Sequence, residues 1–195
     1  ISRCTNGRGR IADHTLTALR KLDAGSWFHK KYQSEKIPTL AEVLAVCKKK
    51  IAVNIEIKIE AVTERVSGGI EEKCLQVVDQ IRMRKHVVFS SFDPRAIIHL
   101  KEIDQTVPAA VLYEKGLYGS KLPSQIVEFL HADGFNCSKR ELTRKWLDDL
   151  KSHQIPVNVY TLNDDKNMTR MLTLGVSGIF TNKPDILRSV LEDFR

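Results

Sequence analysis

Six short apolar runs alternate with helical patterns after residue 50, and this alternation constrains the fold more than any other feature. The predicted strands are 51–59, 86–91, 108–113, 133–137, 156–162 and 177–181. The predicted helices are 69–84, 94–103, 122–131, 142–153, 164–174 and 184–193. A strand followed by a helix, repeated six times, predicts a parallel sheet that is covered by helices.

Two architectures fit this pattern: an open doubly wound sheet, or the larger part of an eight-stranded barrel. A dinucleotide-binding sheet needs a glycine fingerprint directly after its first strand, and none follows Ile59. Polar residues stand instead at the C-terminal ends of successive strands, where a (β/α)₈ barrel builds its site. These residues are Glu56, Lys58, Ser90, Ser91, Tyr113, Glu114, Asn136, Thr161, Asn163, Thr181 and Asn182. We therefore predict a TIM-type (β/α)₈ barrel of which six of the eight strands are present.

The first predicted strand carries polar groups on one face. Because side chains alternate across a strand, Asn54, Glu56 and Lys58 share one face, and the apolar residues from Val53 to Ile59 share the other. At about 3.3 Å per residue, the Cα atoms of Glu56 and Lys58 lie roughly 6.6 Å apart. A phosphate could bridge that gap, with one oxygen on a cation held by the carboxylate and another on the ammonium. An exposed edge strand with salt bridges explains the same residues, so this segment leaves both interpretations open.

The first 50 residues follow a different pattern. They contain a glycine-rich turn at 6–9, a predicted short helix near 13–22, and a loop. A second helix is predicted to begin at Thr39, because Thr39 and Glu42 have the spacing of a capping box.

Composition and charge narrow the class of protein. The net charge is +7, but the basic residues are spread over several predicted helices, and there is no zinc-finger or aromatic–basic strand motif. We therefore predict no nucleic-acid partner. No apolar run approaches the roughly 20 residues that cross a bilayer, and no signal-peptide pattern opens the chain. The four cysteines are widely spaced, which indicates reduced thiols and a cytoplasmic protein, although a start at Ile1 suggests a piece of a longer chain.

Several segments, taken in order and spacing, resemble the glycerophosphodiester phosphodiesterase family. The strand-associated segments are 54–58, 88–94, 157–163 and 175–184. The opening segments 3–9 and 37–44 are similar to that family's insertion and third helix. Each segment alone is a weak motif, but together they are specific, and the resemblance covers essentially the whole chain.

The resemblance implies a barrel that hydrolyses glycerophosphodiesters to sn-glycerol 3-phosphate and an alcohol, with Mg²⁺ or Ca²⁺ as cofactor. Glu56 matches the family's metal-ligating glutamate, and carboxylate oxygen suits a hard cation. Lys58 matches the lysine that contacts the phosphate, where a positive charge would stabilise the phosphoryl oxygens. The implied substrate-binding residues are Ser91, Phe92, Tyr160 and Asn163.

The departures from the family pattern concern the catalytic groups. The family's first two strands carry His-Arg-Gly and Glu-x-Asp motifs, and a His-Asp pair precedes the position that matches Ile1; none of these occurs here. The histidines of this chain are interpreted as surface or helix-end residues, namely His14, His29, His86, His99, His131 and His153. We therefore predict one incomplete domain over residues 1–195 that is unstable, aggregation-prone and inactive by itself, because missing strands expose sheet edges and the barrel interior.

Other functions are compatible with the same residues. The chain could be a catalytically inactive barrel remnant, or a protein that binds phosphate-bearing ligands. It could also be a related phospholipase-type barrel phosphodiesterase, acting on phosphoinositides or sphingomyelin, although the segments 90–94 and 160–163 favour the glycerophosphodiesterase. An in-frame His-Asp pair just upstream of Ile1 in the genome would favour the enzyme, whereas a start codon or unrelated sequence there would favour the remnant.

Overall fold

The computed structural model describes residues 1–194, which form two compact units, the first over Ile1–Cys47 and the second from Lys48 onward. The prediction of a single domain over residues 1–195 stays a prediction. None of the helices in the described residues is both long enough and apolar enough to cross a membrane.

The larger unit is built on a six-stranded parallel sheet. Its strands are β1 (Val53–Ile57), β2 (Val87–Ser91), β3 (Ala109–Leu112), β4 (Gly134–Ser138), β5 (Val157–Tyr160) and β6 (Gly178–Ile179). The strand order follows the chain from β1 to β6 without a reversal. A doubly wound sheet reverses its order at a switch point, so the observed order is that of a barrel, and the predicted TIM-type fold is confirmed.

Helices follow the strands as the sequence pattern predicts. In the larger unit they are α3 (Ile70–Ile81), α4 (Pro94–Ile103), α5 (Pro123–Phe129), α6 (Arg144–Ser152), α7 (Asp165–Leu174) and α8 (Pro184–Asp193). Asp93 caps α4 by accepting a hydrogen bond from the Arg95 backbone N–H at 2.9 Å, and Pro94 occupies its first turn. Gly175 ends α7 with a φ of 87°, a left-handed conformation that glycine adopts without strain.

The two faces of the sheet have different environments. Ile55, Phe89 and Val159 lie on the face that packs against helices, and all three side chains are buried. The opposite face carries polar and small residues, with Glu56 beside Ser90 in the strand register. Alternation along each strand thus separates an apolar core face from a face that is open to polar chemistry.

The predicted apolar face of β1 extends too far in one respect. We expected Ile59 to join it, but Ile59 begins a 3₁₀ turn (Ile59–Ala61) and is 46% exposed. β2 ends at Ser91, opposite Ile57, so no hydrogen-bonding neighbour remains to continue the strand.

The smaller unit contains two short helices, α1 (Leu16–Leu19) and α2 (Leu40–Cys47). The capping box that was predicted for α2 is present: Glu42 accepts a bond from the Thr39 N–H at 2.7 Å, and the Glu42 N–H bonds the Thr39 hydroxyl at 3.3 Å. The Thr39 N–H and the Arg20 guanidinium, which also pairs with this carboxylate, lower the pKa of Glu42 to about 2. The helix predicted near 13–22 is shorter than expected, because Thr15 caps α1 through the Ala18 N–H and so fixes its start.

Candidate functional site

Glu56 and Lys58 lie side by side at the C-terminal end of β1. The Lys58 Nζ is 2.5 Å from the Glu56 Oε1, and the two side chains are 68% and 33% exposed, respectively. The salt bridge fits the interpretation of this segment as an exposed strand with paired charges. It also places a carboxylate and an ammonium where a phosphate could reach both. An exposed ion pair adds only about 0–1 kcal/mol to stability. Stability alone therefore gives little reason for this pairing.

Two adjacent serines at the end of β2 have different roles. The Ser91 hydroxyl donates to the Ile57 carbonyl at 2.8 Å and accepts the Asp93 N–H at 3.0 Å, so it joins the ends of β1 and β2. Ser91 as a substrate-binding residue stays a prediction, with its hydroxyl already engaged. Ser90 is also buried, but within the described residues its hydroxyl has no hydrogen-bond partner, and it stands beside Glu56 in register. The sequence predicts Ser90 at a strand end but not among the substrate-binding residues, and the register between β1 and β2 places it beside Glu56.

Aromatic rings form a wall at the end of β5. Tyr160 packs edge-to-face against Phe92, with ring centroids 6.1 Å apart, and against Phe180 at 6.2 Å. Its hydroxyl donates to the Tyr113 carbonyl at 2.8 Å, which fixes the ring. The structure thus brings the predicted residues Phe92 and Tyr160 together and adds Phe180, which the sequence analysis did not select.

The Tyr160 hydroxyl is unsuited to act as a base. Burial raises the pKa of Tyr160 above its usual range, and the charges of Glu141, Glu114 and Glu56 add to the shift. Tyr160 therefore stays a neutral phenol at physiological pH, and its part in substrate binding stays a prediction.

The predicted residue Asn163 holds the chain that follows β6. Its Oδ1 accepts the Asn182 N–H at 2.8 Å and the Thr181 hydroxyl at 3.3 Å. A role in substrate binding stays a prediction for Asn163.

Within the sheet, the buried Asn136 accepts a hydrogen bond from the Asn158 side chain at 2.8 Å, so these two polar side chains on the Glu56 face are paired with each other.

Glu56 fits a hard cation as a single oxygen ligand, but residues 1–194 do not complete a metal site. No group of three or more His, Cys, Asp or Glu side chains in that part of the chain is placed to hold a metal ion. Mg²⁺ and Ca²⁺ take about six or more ligands, largely oxygen. The Lys58 ammonium already bonds one oxygen of Glu56. The predicted cation therefore has one candidate ligand here, and no step of catalysis can be derived through it.

The histidines of the larger unit lie away from the C-terminal ends of the strands. His86 precedes β2, and His131 and His153 follow helices. His99 corrects one expectation: it was interpreted as a surface or helix-end residue, but it is 7% exposed, in the interior of α4. Its Nδ1 lies 3.5 Å from a carboxylate oxygen of Glu71 on the neighbouring α3, so the packing of these two helices accounts for its burial.

Comparison with solved structures supports the barrel assignment. A phosphodiesterase of Oleispira antarctica, solved in complex with the product sn-glycerol-3-phosphate, superposes with a TM-score of 0.82 at 24% identity, over 98% of this chain and 76% of the other. A glycerophosphodiester phosphodiesterase of Agrobacterium tumefaciens gives a TM-score of 0.80 at 21% identity, over 97% and 77% of the two chains. At these identities the likeness establishes the fold.

Comparison of sequences establishes the family. A glycerophosphodiester phosphodiesterase of Bacillus subtilis is 30% identical over 209 residues, which cover 100% of this chain and 70% of that protein. Its counterpart from Caldanaerobacter subterraneus is 32% identical over 190 residues, 96% of this chain and 75% of the relative. The model of the glycerophosphoryl diester phosphodiesterase family matches residues 1–186. The chain therefore belongs to the glycerophosphoryl diester phosphodiesterase family.

Proposed function

We propose that this protein catalyses the metal-dependent hydrolysis of glycerophosphodiesters to sn-glycerol 3-phosphate and an alcohol, in the cytoplasm. The observation that carries the proposal is the Glu56–Lys58 pair, 2.5 Å apart at a strand end, in a chain whose family match covers residues 1–186. The barrel fold supports it, because such barrels build their sites at the C-terminal ends of their strands.

Each residue of the proposed site has a distinct role. Lys58 contacts the phosphate and stabilises negative charge on its oxygens. Glu56 is one ligand of a divalent cation, Mg²⁺ or Ca²⁺, which when bound would neutralise charge on the phosphoryl group. Phe92 and Tyr160 provide a flat wall for the non-reacting part of the substrate.

The two charged residues should be separable by experiment. We expect Glu56→Gln to remove most activity and to raise the cation concentration that is needed for half-maximal rate. Lys58→Ala should lower kcat/KM about 100-fold, comparable with the loss of one transition-state donor, while the metal dependence persists. The assay measures glycerol 3-phosphate released from glycerophosphocholine, with Mg²⁺ or Ca²⁺ titrated against a chelator. Glu60→Gln and Lys50→Ala are matched controls, because both residues are exposed nearby in sequence.

The proposal fails if neither cation supports release from several glycerophosphodiesters, or if Glu56→Gln leaves both activity and metal dependence unchanged. In the second case the pair is a structural salt bridge. A phospholipase-type enzyme would instead leave glycerophosphocholine intact and cleave phosphoinositides or sphingomyelin, which a separate measurement of headgroup release detects.

A second candidate function is the binding of a phosphate-bearing ligand without catalysis. It is favoured by the lack of a three-residue metal cluster within residues 1–194 and by the position of the histidines of the larger unit away from the C-terminal ends of the strands. Under this alternative, calorimetry detects glycerol 3-phosphate binding that Lys58→Ala weakens, and no product is released.

A further inference from the structure

A closed loop in the smaller unit spans residues 24–35, and it is called the aromatic loop below. Its ends meet through a 2.8 Å hydrogen bond from the Ala24 N–H to the Glu35 carbonyl. Compact surface loops whose ends are joined in this way are frequently functional. The site proposed above does not use this loop.

Asp23 holds the aromatic loop in one conformation. Its carboxylate accepts the N–H groups of Gly25 and Ser26, both at 2.9 Å, and the Ser26 hydroxyl at 2.7 Å. It also accepts the Ser34 N–H, at the far end of the loop, at 3.0 Å. The hydrogen bond from the Ser26 hydroxyl contributes most, and together these bonds hold the pKa of Asp23 well below its usual range. One anionic side chain thus fixes both the beginning and the end of the loop.

The fixed loop presents large aromatic side chains to solvent. Trp27, Phe28 and Tyr32 are 56%, 68% and 38% exposed, respectively. The Phe28 ring centroid lies 5.8 Å from those of both Trp27 and Tyr32, so the rings form one contiguous cluster. Single exposed apolar residues are common, but a contiguous exposed cluster marks an interaction site.

The surroundings of this cluster are basic. Lys30 and Lys31 lie within the loop, and the Lys31 ammonium stands 4.8 Å from the centroid of the Tyr32 ring. Residues 1–47 hold eight lysine and arginine residues against four carboxylates, so they contribute +4 of the chain's net charge of +7. The exposed aromatic cluster therefore lies in the part of the sequence where positive charge is most concentrated.

The indole of Trp27 is suited to an apolar environment. Its Nε1–H donates to the Ala24 carbonyl, within the loop, at 2.9 Å. The ring can therefore leave water without an unpaired donor, which would otherwise carry a desolvation cost. The rings are also tilted, by 70° for Trp27 and Phe28 and by 44° for Phe28 and Tyr32. They do not form the parallel platform on which nucleic-acid bases stack.

We propose that the aromatic loop docks the protein on an anionic lipid bilayer. Trp27 and Phe28 enter the boundary between headgroups and acyl chains, where amphipathic aromatic rings accumulate, and Lys30 and Lys31 contact lipid phosphates. The binding is peripheral, and it does not depend on the proposed hydrolytic function.

The test measures binding of the monomeric protein, isolated by size exclusion, to vesicles by flotation. We expect binding to vesicles of phosphatidylcholine with phosphatidylglycerol, weaker binding to phosphatidylcholine alone, and loss of binding as salt is raised. Trp146→Phe leaves Trp27 as the only tryptophan, and its emission should shift to the blue on anionic vesicles only. Flotation also separates bound protein from aggregates, which sediment.

Variants distinguish the contribution of the lysines to vesicle binding from that of the aromatic rings. Lys30→Gln with Lys31→Gln should weaken binding to anionic vesicles roughly 30-fold. Trp27→Ala with Phe28→Ala should abolish it, with the fold checked by circular dichroism. Phe129→Ala is the matched control, because Phe129 is 63% exposed on α5 of the other unit, and it should bind like the wild type.

Any of the following results would overturn the proposal: equal binding to neutral and anionic vesicles, unchanged binding of the folded Trp27/Phe28 variant, or no shift in Trp27 emission on anionic vesicles. Binding to an acidic protein or a nucleic acid in place of vesicles would also overturn it. If the wild-type protein does not float with anionic lipid at any salt concentration, the loop is not a lipid-docking element.

Discussion

The buried pair of Glu71 and His99 gives the sharpest test of how α3 and α4 are held together. Glu71 is fully buried, and both of its carboxylate oxygens lack hydrogen-bond partners among the described residues. His99 Nδ1 lies 3.5 Å from Glu71 Oε1, a distance that permits charge attraction but here lacks the geometry of a hydrogen bond. Each group therefore depends on the other for compensation of its burial.

The magnitudes predict an asymmetric response to mutation. The Glu71 carboxylate and the His99 imidazole lie 3.5 Å apart, so electrostatic attraction between them compensates part of the cost of burying each group. This attraction and the desolvation of both groups largely offset each other, so the net contribution of the pair lies near zero. Removing one partner leaves the other buried and uncompensated, at a cost of about 3–5 kcal/mol.

The assay is a double-mutant cycle by urea unfolding at neutral pH. We expect His99→Leu and Glu71→Met each to lower the free energy of unfolding by about 3 kcal/mol. The double variant should lie within about 1 kcal/mol of the wild type, because apolar side chains of similar size fill the site. A matched control cycle uses Arg188 and Glu192 on α8, which pair at 3.1 Å but are 83% and 65% exposed. Their coupling should be close to zero.

Additive losses would refute this reasoning. If the double variant lost the sum of the two single effects, the side chains would act independently and their burial would need another explanation. A Glu71→Gln variant as stable as the wild type would show that the pair carries no charge interaction.

Two further predictions concern titratable groups. The Arg95 guanidinium donates hydrogen bonds to the Asp93 carboxylate and lowers the pKa of Asp93. The ionised Asp93 therefore stabilises the fold fully above the pKa of an unfolded aspartate, near 3.9. This stabilisation is lost as the pH falls through the lower pKa of the folded state. Asp93→Asn should therefore lower the free energy of unfolding, measured in urea, by about 1 kcal/mol at neutral pH, and should make it depend less on pH in the acidic range. An unchanged pH dependence of the free energy of unfolding in acid would contradict this prediction. Burial raises the pKa of the Cys137 thiol to about 12, and burial followed by the Glu71 charge raises that of Cys74. Neither thiol should react with a disulfide reagent at pH 8 until urea unfolds the protein, and fast labelling of either in the folded state would refute this.

The sequence predicted the elements of the larger unit well because their signals are local. The Asp93–Pro94 pair and the terminal Gly175 act within a few residues of the helix ends that they mark. The burial of His99 was missed because it depends on Glu71, which lies on a different helix. The C-terminal end of β1 was predicted wrongly for a similar reason. Ile59 lies beyond the point where the neighbouring strand β2 ends, and only the pairing register between the two strands shows that point.

In the candidate site too, the sequence predicted what one strand determines but not what depends on the pairing of two strands. Alternation within β1 was enough to place Glu56 and Lys58 on one face, because it is a property of a single strand. The difference between Ser90 and Ser91 needed the register between two strands, which puts Ser90 beside Glu56 and turns Ser91 to the Ile57 carbonyl. Phe180 could not be selected, since its contact with Tyr160 joins the ends of two strands whose relative position comes from the folded sheet.

Two of the acid–base pairs of the larger unit, Glu56 with Lys58 and Glu71 with His99, differ in burial and therefore in what they can do. Glu56 and Lys58 pair at 2.5 Å but remain open to solvent, so separating them costs about 0–1 kcal/mol, which a bound cation and phosphate can readily offset. Glu71 and His99 are closed off, and separating them would leave uncompensated buried groups at several times that cost. Under the proposed function, the pair that opens to admit a ligand is therefore the exposed one at the strand end. The buried pair lies between α3 and α4, where its loss would destabilise the packing of these helices.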